Sequence, residues 1–469
     1  MKSLIGTLAV LSLVAQVGAA SKPNIILVMA DDQGWGDMAY NGHPMLKTPN
    51  FDEAAAAGLR FDRFYAAAPV CSPTRASVMT GRHPNRMGVF KWGYPMRPQE
   101  ITLAEALKTA GYRTGHFGKW HLGSVRKKSP ANPGRNGFDV WFSAPNFYDN
   151  DAIMSDRGKA VQTRGESSMI AMDAALNWME GERKTADPFL AVVWFGSPHV
   201  PHVAAEEDRK LYDDQPKKDQ HFLGEITGMD RAYGKLRKAL EDWGIRENTM
   251  LWYCSDNGAL PRVGSTGGFR GNKGKVYEGG LLVPSILEWP ARLKTPRVTS
   301  MRCNTSDMYP TLLDVAGVTM KDQPPLDGIS LLPLIDGRDE TRPEPMGFWD
   351  FKAGGIKTPS AQWMGALLKA QEAGGDLDPH SSSVKAAELP NPKHDVGNYQ
   401  GHAAWIDGAL KLHRMQTRDL VSWQLYHLKD DPKEEHNVMT SGHPSLPGMM
   451  EAMEAWLKSV VGSLNGDDY

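Results

Sequence analysis

The residues best suited to chemistry in this sequence fall in the stretch 71–75, which reads Cys-Ser-Pro-Thr-Arg. Pro73 suits the first turn of a helix, where a missing N–H costs no hydrogen bond, and Gly81 suits the position just past the helix end. We therefore expect Cys71 at a helix N-terminus, where free amides and the helix dipole favour an anion. Arg75 follows one turn later and can fold back towards the sulfur. A sulfur beside a helix start and a guanidinium is a candidate reactive centre.

Two other interpretations of this stretch compete with the reactive one. A lone cysteine is most often a small buried residue, and an arginine one turn later could be an ordinary surface residue. A tyrosine-phosphatase-like centre requires an arginine six positions after the cysteine. Ser77 occupies that position, so this class is excluded.

Two pairs of oxygen-bearing side chains follow predicted buried strands. The apolar runs 24–30 and 249–254 read as strands, and in open α/β sheets ligands bind at the carboxyl ends of the strands. Each pair alone could be a solvated turn, but four oxygen ligands from two strand ends suit Ca²⁺ or Mg²⁺ better than a soft metal. The four residues are Asp31, Asp32, Asp256 and Asn257.

Four basic or imidazole side chains complete the set of candidates. Lys119 and His121 are two positions apart, so on an extended chain they face the same side. His199 follows the predicted strand 188–195, and Lys273 lies in a glycine-rich basic loop. Taken singly, each could be a structural or surface residue.

Together these strings resemble the signatures of the type I, formylglycine-dependent sulfatases, which are arylsulfatase-like members of the alkaline-phosphatase-like superfamily. The resemblance extends over nearly all of residues 23–440, with five motifs in family order. Met79 replaces the leucine usual before Thr-Gly, a swap that conserves volume. The strings are Asp-Asp after the first strand, Cys-x-Pro-x-Arg, Gly-Lys-Trp-His-Leu-Gly at 118–123, Asp-Asn after the third strand and Gly-x-Lys-Gly-x-x-x-Glu-Gly-Gly at 271–280.

The resemblance implies a role for each candidate residue. A formylglycine-generating enzyme would oxidise Cys71 to formylglycine. The hydrated aldehyde of that residue would be the nucleophile, and Arg75 would steady it. His199 would protonate the leaving alcohol, and His121 would contact the nucleophile and take the proton whose removal releases sulfate. The family's active-site serine has no clear counterpart; by register it falls near Phe147. The implied metal ligands are Asp31, Asp32, Cys71, Asp256 and Asn257, with Ca²⁺ expected before Mg²⁺, and the implied sulfate ligands are Lys119 and Lys273.

Composition bounds the class of protein. The chain has 469 residues, 41% of them hydrophobic and 23% charged, which is ordinary for a globular protein. The net charge of −2 gives no reason to expect a nucleic-acid partner. An anionic substrate must therefore be held by local positive groups. Cys254 and Cys303 could pair or remain buried thiols, and we favour thiols.

The N-terminus predicts export. Residues 1–20 read as a signal peptide, with Lys2 followed by an apolar stretch and the small residues Gly18, Ala19 and Ala20. That stretch is short for a membrane span, and no later segment is long and apolar enough for one. We therefore expect a periplasmic or extracellular protein without a membrane anchor.

The resemblance also implies the fold and its division. We expect an α/β catalytic domain at 21–345, built on a large mixed, mostly parallel sheet flanked by helices. A smaller α+β domain with a short antiparallel sheet would occupy 346–469. The segment 124–160 reads as a loop region over the site, and 353–398 reads as a loop-rich insertion or lid. These two segments are expected to decide the substrate.

The function that follows is hydrolysis of sulfate monoesters, with a sulfated carbohydrate as the expected substrate. A phosphate or phosphonate monoester hydrolase of the same superfamily is one alternative. A non-catalytic protein that binds sulfated glycans, with Cys71 never oxidised, is an alternative of another class. A structural exported protein is the third, and it would leave the carboxylates at the strand ends unexplained.

Overall fold

The computed structural model describes residues 22–379 and 384–469, so the predicted signal peptide lies outside the described residues. The described chain forms two sheets, one of eleven strands and one of four. The large sheet is mostly parallel, and the small one is antiparallel and lies near the C-terminus. The predicted fold class is therefore confirmed. The division into domains after residue 345 stays a prediction.

The strands of the large sheet are interspersed with helices along the chain, except that the three strands within 140–162 and the three within 282–304 follow one another directly. The strands are β1 (Asn24–Ala30), β2 (Leu59–Tyr65), β3 (Arg113–Lys119), β4 (Val140–Ala144), β5 (Ile153–Asp156), β6 (Lys159–Gln162), β7 (Phe189–Trp194), β8 (Thr249–Ser255), β9 (Leu282–Glu288), β10 (Arg297–Thr299) and β11 (Cys303–Asn304). Their order across the sheet is β10-β2-β9-β8-β1-β7-β3-β4-β5-β6, and β11 also pairs with β2.

Helices cover both faces of this sheet, and the last helix of the chain packs on the small sheet. They are α1 (Pro49–Ala57), α2 (Cys71–Thr80), α3 (Leu103–Lys108), α4 (Ser167–Glu182), α5 (Glu206–Arg209), α6 (Lys217–Asp242), α7 (Glu278–Leu281), α8 (Met308–Ala316), α9 (Leu332–Ile335), α10 (Ser360–Glu372) and α11 (Leu446–Leu464). Helices α2, α3 and α8 pack on one face, and α1, α4 and α6 pack on the other.

Strand β1 lies at the centre of the sheet, and this position explains why its sequence is a continuous apolar run. It pairs in parallel with β7 on one side and β8 on the other. Its odd-numbered residues enter the core on one face of the sheet, and its even-numbered residues enter the core on the other. A strand buried on both faces has no polar side to alternate with. The carboxyl ends of all three strands therefore meet at one edge.

The small sheet contains β12 (Met346–Phe351), β13 (Gly401–Asp407), β14 (Leu410–Thr417) and β15 (Leu420–His427), in that order. Helix α11 packs against it through an apolar face. The prediction of one hairpin, with a strand over 403–413, was wrong, because Gly408 turns the chain inside that range and the segment forms two strands.

Two segments expected to be irregular contain regular structure. The loop predicted at 124–160 carries β4, β5 and the start of β6, and the insertion at 353–398 carries helix α10. The three strands are four or five residues long and lie at one end of the large sheet. Short edge strands of mixed polarity do not show a clean alternation of apolar and polar residues. Cys254 and Cys303 are both buried free thiols, as favoured.

Gly118 fixes the approach of β3 to its neighbour β7. Its φ is +98°, and a Cβ built on it would lie 1.9 Å from the carbonyl oxygen of Trp194. Only a residue without a side chain allows this contact and this backbone conformation together. Because Lys119 is the next residue, the same contact sets where that lysine leaves the sheet.

We expect Gly118→Ala to lower the free energy of unfolding by about 3 kcal/mol, because the methyl group adds a steric clash to an unfavourable positive φ. Gly111→Ala is the matched control. Gly111 has a φ of +86°, but a Cβ added there would meet no atom within 4 Å, so its substitution should cost only about 1 kcal/mol. Urea unfolding of both variants measures the difference, and equal losses would contradict the assignment.

Candidate active site

Hydrogen bonds donated by two backbone amides join three strand ends at the carboxyl edge of the large sheet. The amide of Asp31 donates to the carbonyl of Ser197 after β7, at 2.9 Å. The amide of Asp32 donates to Oδ1 of Asp256 after β8, at 3.0 Å. Asp32 has a φ of +73°, an uncommon conformation for a residue with a side chain. Such strain is retained where the surroundings enforce it and often marks a functional site.

Oxygen atoms from two of these strand ends form a buried cluster. A carboxylate oxygen of Asp31, one of Asp256 and the sulfur of Cys71 lie within 4.8 Å of one another. Oδ1 of Asp31 and Oδ1 of Asn257 are buried and have no hydrogen-bond partner among the described residues. Buried polar atoms normally have partners. Two orphaned oxygens beside carboxylates therefore fit a hard divalent cation, which prefers oxygen ligands.

Three basic side chains contact this cluster. Arg75 donates from Nε and Nη2 to Oδ2 of Asp256, at 3.0 and 2.6 Å. Nζ of Lys119 lies 2.6 Å from Oδ2 of Asp31. Nζ of Lys273 likewise lies 2.6 Å from the Asp32 carboxylate. The structure thus brings the predicted basic residues and carboxylates together.

Arg75 makes its hydrogen bonds with groups other than Cys71, although it lies close enough to the sulfur for an electrostatic interaction. Its guanidinium binds Asp256 and also donates to the carbonyl of Lys119, at 3.2 Å. Asp256, which lies 181 residues further along the chain, supplies the buried carboxylate oxygen that accepts two of these hydrogen bonds. Burial raises the pKa of the Cys71 thiol, although the charges of Lys119 and Lys273 act in the opposite direction. The helix start alone therefore does not make this cysteine a thiolate.

The two adjacent aspartates respond differently to the same burial. Burial raises the pKa of Asp31 to about 8, although the charge of Lys119 opposes the shift. Burial would also raise the pKa of Asp32, but Lys273, His199 and Lys119 outweigh it and hold that pKa below its usual range. The cluster thus has a large electrostatic cost of its own, which a bound divalent cation would reduce.

The two predicted histidines lie beside the cluster in different settings. His121 is buried, and neither ring nitrogen has a hydrogen-bond partner among the described residues. Burial lowers its pKa well below the usual value, and the charges of Lys119 and Arg75 add to this. Nε2 of His199 lies 3.6 Å from Oδ2 of Asp32. Burial lowers the pKa of His199 to about 4, with Asp32 acting against the shift.

Asn146 and Phe147 occupy the region where the family's serine was expected. The ring of Phe147 stacks on the ring of His199, with 5.1 Å between centroids. Asn146 lines the cleft above the cluster, and its Oδ1 is buried and has no partner in the described chain. Its Nδ2 donates to the carbonyl of Thr358, at 3.1 Å. The polar group nearest the predicted position is therefore that of Asn146.

A cleft of about 640 Å³ opens above these residues. The predicted insertion supplies part of its wall, and sequence reasoning identified no individual residue there. The one sequence signal for Trp92 as a cleft residue is its place in a glycine-containing loop. The lining residues are Cys71, Trp92, His121, Asn146, His199, Lys273, Lys357, Thr358, Pro359 and Gln362.

Comparisons with known proteins agree with this geometry. The Sulfatase family model matches residues 23–318. The chain is 34% identical to N-acetylgalactosamine-6-sulfatase of Canis lupus familiaris over 370 residues, which cover 70% of this chain and 68% of that protein. It is 30% identical to human arylsulfatase A over 438 residues, 83% of this chain and 84% of the relative. A crystal structure of Ps i-CgsB in complex with k-i-k-neocarrahexaose aligns with a TM-score of 0.77 at 25% identity, covering 93% of each chain.

The matched region contains every predicted site residue, from Asp31 to Lys273. The family implies a formylglycine made from a cysteine and a bound divalent metal, and both fit the cluster described above. Among the alternatives that the sequence left open, the family favours sulfate ester hydrolysis over phosphate ester hydrolysis, glycan binding alone and a structural role. The chain belongs to the sulfatase family and is a sulfuric ester hydrolase.

Proposed function

We propose that this enzyme hydrolyses sulfate monoesters of a sulfated carbohydrate, using a formylglycine made from Cys71 and a bound Ca²⁺. The observation that carries the proposal is the meeting of Cys71, the oxygen cluster, two lysines and two histidines below one cleft. The names of the relatives support the substrate class, since one is a sulfatase of N-acetylgalactosamine and one structure contains a neocarrahexaose.

The proposed metal ligands are Asp31, Asp32, Asp256 and Asn257, with the modified residue 71 as a further ligand. The ligand oxygens favour Ca²⁺, with Mg²⁺ second, because Ca²⁺ accepts several carboxylates in an irregular arrangement. When bound, the cation would supply positive charge next to the sulfuryl oxygens and the nucleophile. The two orphaned buried oxygens support this assignment.

The lysines Lys119 and Lys273 are proposed to bind sulfuryl oxygens. Each ammonium contacts one carboxylate of the cluster, at 2.6 Å, and retains donors for a second acceptor. Fixed positive groups in a site that excludes water stabilise the charge that develops in the transition state. Arg75 is proposed to act by holding Asp256 and the backbone of Lys119 in place.

The two histidines are proposed to move protons at different steps. Formylglycine, when present, supplies a hydrated aldehyde whose hydroxyl group is the nucleophile. His199 lies at the cleft with Nδ1 donating to the Val200 carbonyl at 2.6 Å, so Nε2 is the unprotonated nitrogen of the neutral ring and carries the proton given to the leaving alcohol once the ring is protonated. A sulfate ester beside this ring favours its protonated form. His121 is proposed to take the proton whose removal releases free sulfate.

Export and maturation complete the proposal. We propose that the signal peptide directs the chain to the periplasm or the exterior, after a formylglycine-generating enzyme has modified Cys71. Among the described helices, none combines the length and apolar composition that crossing a bilayer requires. Conversion requires an accessible Cys71 before folding, because the residue is buried in the folded chain.

We expect peptide mass spectrometry of active enzyme to show residue 71 with its sulfur lost and an oxygen gained. The physical reason is that a buried thiol of raised pKa is a poor nucleophile towards a sulfate ester. Protein made in a host without the converting system should retain the thiol and be largely inactive. Full activity in a preparation that carries only unmodified Cys71 would overturn the proposed nucleophile.

We expect Asp256→Asn to weaken Ca²⁺ binding at least about tenfold, because the substitution removes one ligand charge. Asn keeps the shape of the residue and an oxygen that can accept from Arg75, whereas Ala removes both. Because either change leaves the Arg75 charge without its counter-charge, the folded fraction of the variant is measured first. Asp230→Asn is the control, since Asp230 is a buried carboxylate that accepts hydrogen bonds at the start of α1. Elemental analysis and calorimetric titration measure the metal. Unchanged binding in Asp256→Asn would exclude this residue as a ligand.

We expect the two histidine variants to lose activity in different patterns when each is assayed on two substrates. General acid catalysis is worth roughly 10²–10⁴-fold, and an activated aryl leaving group needs less of it than a sugar alkoxide. His199→Ala should therefore lose far more activity on a sulfated sugar than on an aryl sulfate. His121→Ala should slow both alike and let a mass increase accumulate on the peptide containing residue 71. The reverse pattern would show that the two roles are exchanged.

A further inference from the structure

We propose that Trp92 and Lys357 form a subsite for the leaving group, and that it selects a saccharide bearing a second anionic group, either a carboxylate or another sulfate. The inference rests on the proposed carbohydrate substrate and goes beyond it, because it says which sulfated carbohydrates the cleft prefers. Both residues line the cleft that contains Cys71.

The segment 352–359, here termed the strap, holds Trp92 in place. The amide of Ile356 donates to the carbonyl of Trp92 at 2.9 Å. Gly355 lies against the indole, because a Cβ at that position would be 2.0 Å from Cε2 of Trp92. Gly93 packs as closely, since its Cβ would be 2.0 Å from the Ile356 carbonyl oxygen. The strap and the Trp92 loop are thus fitted to each other by two glycines.

The strap is also anchored at its start. Lys91 forms an ion pair with Asp350, and Phe90 stacks on Phe351 with 4.6 Å between ring centroids. These contacts join the residues just before Trp92 to the strand just before the strap. The indole is therefore held by its surroundings before any ligand arrives, which lowers the entropic cost of binding one.

The part of the indole that the strap leaves uncovered is available to a ligand. Trp92 is 46% exposed, which is unusual for so large an apolar side chain fixed by close packing. A rigid exposed aromatic surface in a cleft commonly contributes to binding. The C–H groups on one face of a pyranose ring form an apolar surface that can pack on an indole. Trp92 would thus bind the sugar ring that carries the scissile sulfate.

The positive charge of the cleft favours a substrate that bears a second anionic group. Lys273 and Lys357 both line it, and none of its described lining residues carries a carboxylate. Lys273 is already paired with Asp32 and is assigned to the reacting sulfate. Lys357 is exposed and makes no ion pair or side-chain hydrogen bond with the described residues. Its charge is therefore left over once the scissile sulfate is bound.

Neutral polar groups and the size of the cleft favour a saccharide over a small sulfate ester. Gln362 in the first turn of α10 and Thr358 in the strap line the same cleft and can bond to hydroxyl groups. A volume of about 640 Å³ is within the range of roughly 300–1,000 Å³ that holds a ligand far larger than a sulfate ion.

The test uses enzyme whose residue 71 is confirmed as formylglycine, assayed on three sulfated disaccharides of the same linkage. One carries no other charge, one carries a uronate carboxylate, and one carries a second sulfate. Lys357→Gln should lose about tenfold in kcat/KM, mainly through KM, on whichever charged disaccharide the wild type prefers. It should change less than about twofold on the neutral one. Lys352→Gln is the control, because Lys352 is an exposed strap lysine outside the cleft lining.

Trp92→Ala should lose about tenfold on all three disaccharides, and Trp92→Phe should recover part of that loss, because it restores an aromatic surface. A wild type without preference for either charged disaccharide, or a Lys357→Gln variant that affects all three equally, would overturn the inference. Calorimetry with the desulfated products gives the same comparison without turnover. Wild-type activity on an aryl sulfate but on no disaccharide would instead reject the proposed carbohydrate substrate.

Discussion

The pairing of carboxyl groups with basic side chains at one sheet edge is the interaction on which the site of this structure depends. Arg75 pairs with Asp256, Lys119 with Asp31 and Lys273 with Asp32, all at the carboxyl edge of the large sheet. Removing one partner of such a buried pair costs about 3–5 kcal/mol, because the other charge is left uncompensated. Each pair ties a helix, a strand end or a loop to the same edge of the sheet.

The pairing of these charges determines the electrostatics of the site as well as its shape. The carboxylates lie after β1 and β8, whereas the cations come from α2, the end of β3 and the loop that precedes α7. A rigid parallel sheet fixes the carboxylates, and the cations approach from separate segments around them. Of the two lysines that balance the carboxylates, Lys273 lines the cleft and Lys119 is buried beneath it. A divalent cation would take over part of that balance and leave the lysines more positive towards sulfate.

The elements at the centre of the fold could be predicted because local patterns determine them. Strand β1 is buried on both faces, so its sequence is apolar throughout, and α2 begins with a proline in its first turn and ends at Gly81. The resemblance to sulfatases supplied the roles of the site residues, and the structure brings all of them together. The positive φ of Asp32 and His121 was not visible in the sequence.

The parts that could not be predicted depend on contacts distant in sequence. Arg75 turns to Asp256, 181 residues away, and no local pattern reveals that choice. Trp92 becomes part of the cleft only because Gly355 and Ile356 come to lie against it, and Lys357 follows from the same placement. The short strands β4 to β6 take their form from pairing at the sheet edge. The proposed substrate preference thus rests on the segments that the sequence predicts least well.

The central claim is that the oxygen cluster binds a divalent cation and that this binding prepares the lysines for sulfate. It is tested most directly by calorimetric titration of the enzyme with inorganic sulfate, once with saturating Ca²⁺ and once after exhaustive chelation. Coupling between two sites typically amounts to about 1–3 kcal/mol, or about 5–150-fold in affinity. We predict that sulfate binds at least about fivefold more tightly with Ca²⁺, and equal affinity under the two conditions would contradict the account.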